Sequence, residues 1–140
     1  ASVAPALQHG AFIGAAGSGR IASATRADYA AAAAAVLAQP AVGNRVYELA
    51  GDTSYTLAEL VAALNRQTGR SVVYQDLPQK DFEGALLGAG LPAPFAALLA
   101  DSDAGAAKGA LFDDSHQLST LIGRPSTPLA EAMKAALAAA

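Results

Sequence analysis

The sequence contains no cysteine. Disulfide bonds, thiolate zinc sites, iron–sulfur clusters and a cysteine nucleophile are therefore excluded together. Long apolar runs are also lacking: the longest, residues 30–38, is far shorter than the ~20 residues that span a bilayer. No charged, apolar and small-residue pattern typical of a secretory signal begins at Ala1. We therefore expect a cytoplasmic protein with no membrane partner.

Basic residues are few and scattered. Nine lysines and arginines stand against twelve acidic residues, which gives a net charge of -3, and no basic stripe follows a helix or strand. A nucleic-acid partner is therefore not expected. The abundant class is apolar, at 53% of residues against 15% charged, and no linker rich in serine, glycine or proline divides the chain. We expect one globular unit that buries about two-thirds of its surface.

Turn and capping signals divide the first half of the chain. Thr25 and Asp28 have the spacing of a capping box, as do Thr56 and Glu59. After Thr56, apolar residues recur at helical spacing up to Gly69. The predicted elements are strands at residues 11–13 and 20–23 around a glycine-rich turn, a helix from 25 to about 38, a strand at 46–49, a helix ending at 69 and a strand at 71–75.

The second half reads as mostly helical. We expect a helix from Pro78 to about residue 90, one opened by Pro92 and Pro94, a loop or broken helix over 101–109, a helix capped by Asp114 with Gln117 as its third residue, and a final helix starting at Thr127 and Pro128. Alternating strands and helices predict an α/β arrangement, with residues 46–49 and 71–75 best suited to a parallel sheet.

The glycine-rich turn, residues 14–19, is the first candidate for chemistry. Glycines let a backbone approach a pyrophosphate, and a following helix N-terminus stabilises its charge. However, the spacing G-x-x-G-x-G differs from the dinucleotide fingerprint, and the next helix begins only at Thr25. We favour a hairpin turn over a phosphate loop.

The second candidate is the junction of Ser23, Thr25, Arg26 and Asp28, where a predicted strand end meets a helix start. Unpaired N–H groups and the helix dipole face outward at such junctions. Arg26 could hold an anionic or carbonyl oxygen of a ligand. In the alternative interpretation, Thr25 and Asp28 only cap the helix and Arg26 pairs with a surface carboxylate.

The acidic residues of the second half are weaker candidates. Asp113, Asp114 and His116 would suit a metal or acid–base site, but an aspartate cap before a solvated turn explains them without a ligand. Asp101 and Asp103 are interpreted as turn and cap residues. The Tyr-x-x-x-Lys pair of ordinary short-chain dehydrogenases is missing from the sequence.

Five segments in order resemble one family. They are residues 10–29 (GAFIGAAGSGRIASATRADY), 46–52 (VYELAGD), 56–60 (TLAEL), 111–115 (LFDDS) and 121–125 (LIGRP). Together they resemble the C-terminal half of bacterial NAD(P)H:quinone oxidoreductases of type 2, members of the NmrA-like, atypical short-chain dehydrogenases. The resemblance covers essentially the whole chain.

The resemblance implies an α/β fold in which residues 1–140 form a mostly helical, substrate-side C-terminal lobe with a few short strands. The NADPH-binding Rossmann half would lie upstream of this chain. Hydride would pass from NADPH to a quinone, with Ser23 and Thr25 near the cofactor and Phe12 and Arg26 near the quinone. Phe82, Phe95 and Leu98 would be further wall residues, and the glycine turn a hairpin.

The same resemblance leaves two hypotheses open. The chain is either the substrate-side portion of a quinone reductase, inactive by itself, or a truncated, non-catalytic binding module. Without the Rossmann half, the lobe would expose an apolar face suited to that half or to a second copy, and such patches drive association. We expect a homodimer on that face.

Overall fold

The computed structural model describes residues 3–40 and 43–138. In chain order the described elements are α1 (Val3–His9), β1 (Ala11–Gly14), α2 (Arg26–Leu37), α3 (Leu57–Thr68), β2 (Val73–Asp76), α4 (Gln79–Gly88), α5 (Ala93–Ala107), α6 (Gln117–Ile122) and α7 (Leu129–Ala138). The predicted fold class, mostly helical with a few short strands, is confirmed. Within the described residues, no helix has the length and apolar character needed to cross a membrane.

The chain divides into two compact units. Of the described residues, unit 1 holds 3–21 and 55–111, and unit 2 holds 22–40, 43–54 and 112–138. Each unit therefore contains segments that are distant in sequence. The organisation as a single C-terminal domain stays a prediction.

The sheet of unit 1 differs from the predicted one. β1 pairs in parallel with β2, with Ala11 opposite Val73 and Gly14 opposite Asp76. The predicted hairpin of residues 11–13 with 20–23 is wrong, because Ile21 forms an isolated antiparallel bridge with Tyr55 instead. The predicted strand at 46–49 is also wrong: these residues belong to no strand.

The helices of unit 1 pack on the sheet through small side chains. Phe82 of α4 contacts Ala15 and Ala100 in one core cluster, while Leu57 of α3 joins Ala106 in another. The helix predicted up to Gly69 is confirmed, with the Thr56 capping box formed and Gly69 left-handed at φ 66°. α1 was not predicted.

The predicted loop or broken helix at residues 101–109 is wrong for residues 101–107, because α5 continues unbroken through Ala107; residues 108 and 109 form a turn. Ala100 and Ala106 are fully buried on either side of the polar stretch. Since burial of these alanines needs a helical backbone, tertiary packing overrides the weak helix preference of Asp103 and Gly105.

In unit 2, α2 packs against α6. Thr25 is the N-cap of α2, as predicted. Asp114 is not the cap of α6: that position is His116, whose backbone is left-handed at φ 55°. Leu118 of α6 is fully buried, as expected, and α7 begins one residue after Pro128.

Candidate functional site

Unit 1 contains an apolar cavity of about 410 Å³. Its lining comes from α1, β1, α3, α4, α5 and the turn after α4, and consists of Pro5, Ala6, Ala11, Phe12, Ile13, Leu57, Phe82, Leu86, Ala89, Leu91, Leu99 and Asp103. Phe12 and Phe82 thus line this cavity. Phe95 and Leu98 do not line it; their side chains are 60% and 62% exposed on α5.

Asp103 is the one ionisable side chain among these lining residues. Its Oδ2 accepts a hydrogen bond from the Ala15 N–H at 2.8 Å. Burial raises the pKa of this carboxyl by more than the hydrogen bond from the Ala15 N–H lowers it, and the charge of Asp76 adds a smaller increase. The wall therefore carries a carboxyl group that is biased toward its neutral form.

From the sequence Asp103 was interpreted as a turn or cap residue, because residues 101–109 were expected to be a loop or a broken helix; the structure places it inside α5 instead. A signal was nevertheless present. Ala96, Ala100 and Asp103 stand at i, i+4 and i+7, the spacing of one helix face, and both alanines are fully buried. An aspartate that continues a buried apolar face is a candidate functional group.

The glycine turn is bound by two carboxyl groups of the chain itself, those of Asp76 and Asp103. Asp103 accepts from the Ala15 N–H, and Asp76 Oδ1 accepts from the Gly17 N–H at 2.8 Å. The Tyr74 hydroxyl donates to the same Asp76 oxygen at 2.9 Å. A pyrophosphate would therefore meet negative charge and occupied N–H donors, so this turn does not fit a phosphate loop.

In unit 2, the start of α2 is built around a buried aspartate. Thr25 Oγ1 accepts from the Asp28 N–H at 3.1 Å and donates to Asp28 Oδ2 at 2.8 Å. The Thr127 N–H donates to Asp28 Oδ2 at 3.0 Å, and Arg124 lies 2.7 Å from Asp28 Oδ1. Oδ1 accepts no well-aligned hydrogen bond from the described residues, so the charge of Arg124 compensates it.

Asp28 is therefore more than the surface cap that its spacing suggested. Burial by itself raises the pKa of Asp28, but hydrogen bonds from Thr127 and Thr25 and the contact with Arg124 together hold it well below its usual range. The carboxylate stays ionised with no exposed surface. Through Arg124 and the Thr127 N–H, the Asp28 carboxylate links the segment 124–127 to the first turn of α2.

Arg26 is placed differently from the residues around it. It is exposed at the first position of α2, and it has no hydrogen-bond or ion-pair partner among the described residues. The interpretation in which Arg26 pairs with a surface carboxylate is therefore wrong for the described part of the chain. A cation at the positive end of a helix dipole is unfavourable unless an anion or carbonyl oxygen joins it.

Ser23 and Thr25 are less available to a ligand. The Thr25 hydroxyl already donates and accepts within the chain. Ser23 is exposed, and its carbonyl oxygen approaches Gly51 so closely that a Cβ there would collide with it. Their assignment to cofactor binding stays a prediction.

His116 contacts Asp52 rather than Asp113 or Asp114. Its Nδ1 lies 2.9 Å from Asp52 Oδ1, while the Ser126 N–H donates to Asp52 Oδ2 at 2.7 Å. Hydrogen bonds from Ser119, His116 and the Ser126 N–H hold the pKa of Asp52 well below its usual range. The described ranges contain no group of three or more histidine and acidic side chains arranged to hold a metal ion.

The predicted site residues lie in both units. Phe12 belongs to unit 1, in the wall of the cavity, and Ser23, Thr25 and Arg26 belong to unit 2, around the start of α2. Their roles toward quinone and cofactor stay predictions.

Comparison with known proteins finds several reductases among the matches. The chain is 59% identical to quinone oxidoreductase 2 of Escherichia coli over 133 residues, which is 95% of this chain and 46% of that protein. The crystal structure of the E. coli NADPH-dependent quinone oxidoreductase matches with a TM-score of 0.94 and 57% identity over 97% of this chain and 50% of that one. A further structure of that enzyme contains NADPH.

More distant relatives are also reductases. The triphenylmethane reductase of a Citrobacter species matches with a TM-score of 0.89 and 35% identity, over 96% of this chain and 47% of that one. The NAD(P)H azoreductase of Xenophilus azovorans is 30% identical over 88% of this chain and 43% of that protein. No protein-family model matches the chain.

The chain spans about half the length of the curated relatives that it matches. The match nevertheless runs through nearly all of its residues in both sequence and structure. By this evidence the chain is similar, over nearly all of its length, to about half of the type 2 quinone oxidoreductase of E. coli, and its structural neighbours are NmrA-like enzymes.

Proposed function

We propose that this chain is the substrate-side, C-terminal portion of an NADPH-dependent quinone oxidoreductase, and that it is inactive by itself. The observation that carries the proposal is the 59% identity to E. coli quinone oxidoreductase 2 over 95% of the chain. Because the chain covers 46% of that relative, reduction of a quinone requires the remaining half. The location that we propose is the cytoplasm.

The cavity of unit 1 supports a quinone as the ligand. Its volume of about 410 Å³ falls in the usual range for small-molecule sites, and its lining is apolar except for one carboxyl, as such sites usually are. Phe12 offers a ring edge or face to a flat conjugated ligand. A dry wall of this kind orients a quinone and excludes water from the reacting atoms.

The described residues supply little of a dinucleotide site. The glycine turn does not fit a pyrophosphate, since Asp76 and Asp103 occupy its N–H groups. Arg26 fits an anionic or carbonyl oxygen, and we propose that it contacts the quinone in the complete enzyme, with Ser23 and Thr25 close to the cofactor. NADPH would supply the hydride when bound by the half that this chain does not cover.

The test joins the N-terminal half of E. coli quinone oxidoreductase 2 to this chain and compares the chimera with the chain alone. We expect saturable NADPH oxidation with menadione by the chimera and no rate above background by the chain. A saturable rate from the chain alone would contradict its inactivity. A folded, NADPH-binding chimera that reduces no quinone would overturn the proposed function.

Arg26→Ala in the chimera tests the proposed ligand contact. Loss of a charged hydrogen bond to the ligand is expected to lower kcat/KM by roughly ten- to a hundredfold. Arg45→Ala is the matched control, since Arg45 is also an exposed arginine of unit 2 and its guanidinium lies over the Tyr47 ring at 5.6 Å. Equal kcat/KM for Arg26→Ala and the parent chimera would remove Arg26 from the site.

A second candidate function is a non-catalytic module that associates through an apolar face. The observation in its favour is the exposure of Phe95 and Leu98, one helical turn apart on α5. Exposed apolar side chains grouped on one helix face mark interaction sites. We propose that, in such a module, the occupant of this face is a second copy of the chain; in a complete enzyme the same face would contact the N-terminal half.

A further inference from the structure

We propose that Asp103 is the proton donor of the quinone reaction: its neutral carboxyl donates a hydrogen bond to a carbonyl oxygen of the quinone in the cavity of unit 1 and gives up that proton as the hydroquinone forms. The proposal rests on the proposed function, because it assigns a catalytic role within that same reaction.

The geometry fixes one oxygen of the carboxyl and leaves the other for a ligand. Oδ2 accepts from the Ala15 N–H at 2.8 Å. It also sits so close to Gly14 that a Cβ there would lie 2.9 Å from it. Oδ1 has no hydrogen-bond partner among the described residues. A carboxyl that is held by one oxygen and lines a cavity can present the other to a ligand.

The surroundings of Asp103 favour its neutral form. The lining residues from α1, β1, α3 and α4 carry no ionisable side chain. The ionisable groups that act on Asp103 are Asp76 and Tyr74 of β2, and neither supplies positive charge. Burial and the Asp76 charge raise the pKa of Asp103. The carboxyl thus keeps its proton to a higher pH than an exposed aspartate does.

Quinone reduction requires this proton. The hydride brings one hydrogen and the electron pair to the quinone, so that NADPH is oxidised and the quinone reduced. The second hydrogen arrives as a proton: the O–H bond of Asp103 breaks, and an O–H bond forms at the quinone carbonyl oxygen. Asp103 is left as a carboxylate and regains a proton from water once the hydroquinone leaves.

The first experiment measures menadione binding to the 140-residue chain against pH. Without cysteine, the chain cannot consume the quinone by thiol addition. The side-chain carboxyl carbon of Asp103, observed by NMR, reports its protonation. We expect menadione to raise the apparent pKa of Asp103, and we expect the affinity to fall about fivefold or more as the carboxyl ionises, since the hydrogen bond is then lost.

Asp103→Asn keeps an acceptor for the Ala15 N–H and a donor for the quinone but has no proton to lose. Its menadione affinity should therefore not depend on pH. Asp101→Asn is the matched control, because Asp101 is exposed on the same helix without a recorded partner among the described residues. It should behave like the parent chain.

The second experiment measures steady-state kinetics of the chimera. Asp103→Asn should lower kcat by about a hundredfold, as loss of a general acid does, with KM within about threefold. The decline of kcat that accompanies ionisation of Asp103 as the pH rises should disappear in this variant. Asp76→Asn should move that decline to lower pH, because one source of the raised pKa is removed.

The outcomes separate the two proposals. If menadione binds and the chimera reduces it, but Asp103→Asn leaves kcat and the pH profile unchanged, the role of Asp103 is overturned and the proposed function stands. A raised KM with an unchanged kcat also overturns it, since Asp103 would then only position the quinone. If menadione does not bind and the folded chimera is inactive, both proposals fall.

Discussion

Two aspartates show how the local surroundings of a residue set its chemistry. Asp28 is fully buried, yet it stays ionised because Arg124, Thr25 and the Thr127 N–H surround its oxygens. Asp103 has one N–H donor and a neighbouring carboxylate, and its pKa is raised. The same side chain is thus structural in unit 2 and a candidate acid in unit 1.

At Asp28 we predict a large effect on stability. Asp28→Asn keeps the shape and one acceptor but loses the charge that Arg124 faces at 2.7 Å. Because hydrogen bonds to charged groups are worth about 1.5–3 kcal/mol, we expect the free energy of unfolding to fall by about 2 kcal/mol. Urea denaturation at neutral pH measures it. Asp114→Asn should be neutral, because Asp114 is exposed and has no hydrogen-bond or ion-pair partner among the described residues; equal loss in both variants would contradict the assignment.

The pH dependence of this difference follows from the lowered pKa of Asp28. The stabilisation is fully present above the unfolded-state value near pH 4 and is lost as pH falls toward the folded-state pKa. The gap between parent and Asp28→Asn should therefore be widest at neutral pH and close in acid. Urea midpoints across this range measure it, and a gap that widens in acid would mean that Asp28 is not the ionised partner.

At the scale of elements, we predict that replacing glycine by alanine destabilises the fold at Gly19 and stabilises it at Gly84. A Cβ at Gly19 would collide with the Ala106 carbonyl oxygen of α5. Because a backbone atom of a helix cannot move away without distorting the helix, Gly19→Ala should lower the free energy of unfolding by about 2 kcal/mol. Gly84 lies exposed in α4 with nothing near its Cβ position. Gly84→Ala should raise it by about 0.5–1 kcal/mol.

Thermal and urea unfolding of the two variants test this contrast. The expected loss of stability in Gly19→Ala arises from the close approach of the turn to α5, and not from the replacement of a glycine as such. If Gly19→Ala were as stable as the parent, the turn would not pack on α5 as described. If Gly84→Ala were destabilising, α4 would not be helical at that position.

The elements that could be predicted from sequence carry their own local signals. Thr25, Thr56 and Gly69 mark helix ends by capping chemistry, which depends on a few neighbouring residues. Strand pairing depends on partners far along the chain, so the pairing of β1 with β2 was missed. The exposed Val46, at 82%, lies in a segment with strand-like composition but no partner strand.

For the candidate site too, the residues with local sequence signals were identified, and the one that depends on long-range contacts was not. Phe12 and the start of α2 were identified through the family resemblance and local pattern. Asp103 was interpreted as a turn or cap residue, although its spacing from Ala96 and Ala100 places it on a buried helix face. Its raised pKa depends on contacts with Ala15 and Asp76, which are distant in sequence, so that property follows only from the tertiary structure.

At the scale of the whole molecule, composition and length combine to predict association. The chain spans about half the length of its curated relatives and is 53% hydrophobic. Several large apolar side chains are exposed in unit 1, and three of them, Phe95, Leu98 and Leu99, occupy one face of α5. A surface of this kind in a protein with few charges favours burial against another chain.

We therefore predict that the isolated chain forms a dimer through this face of α5. Sedimentation equilibrium should give twice the 13.9 kDa chain mass for the parent and a monomer for the Phe95→Gln, Leu98→Gln double variant, whose face no longer gains from leaving water. Leu37→Gln is the control, since Leu37 is 85% exposed at the end of α2 and should leave the dimer intact. A monomeric parent at every concentration, or dissociation caused by Leu37→Gln, would place the association elsewhere or remove it.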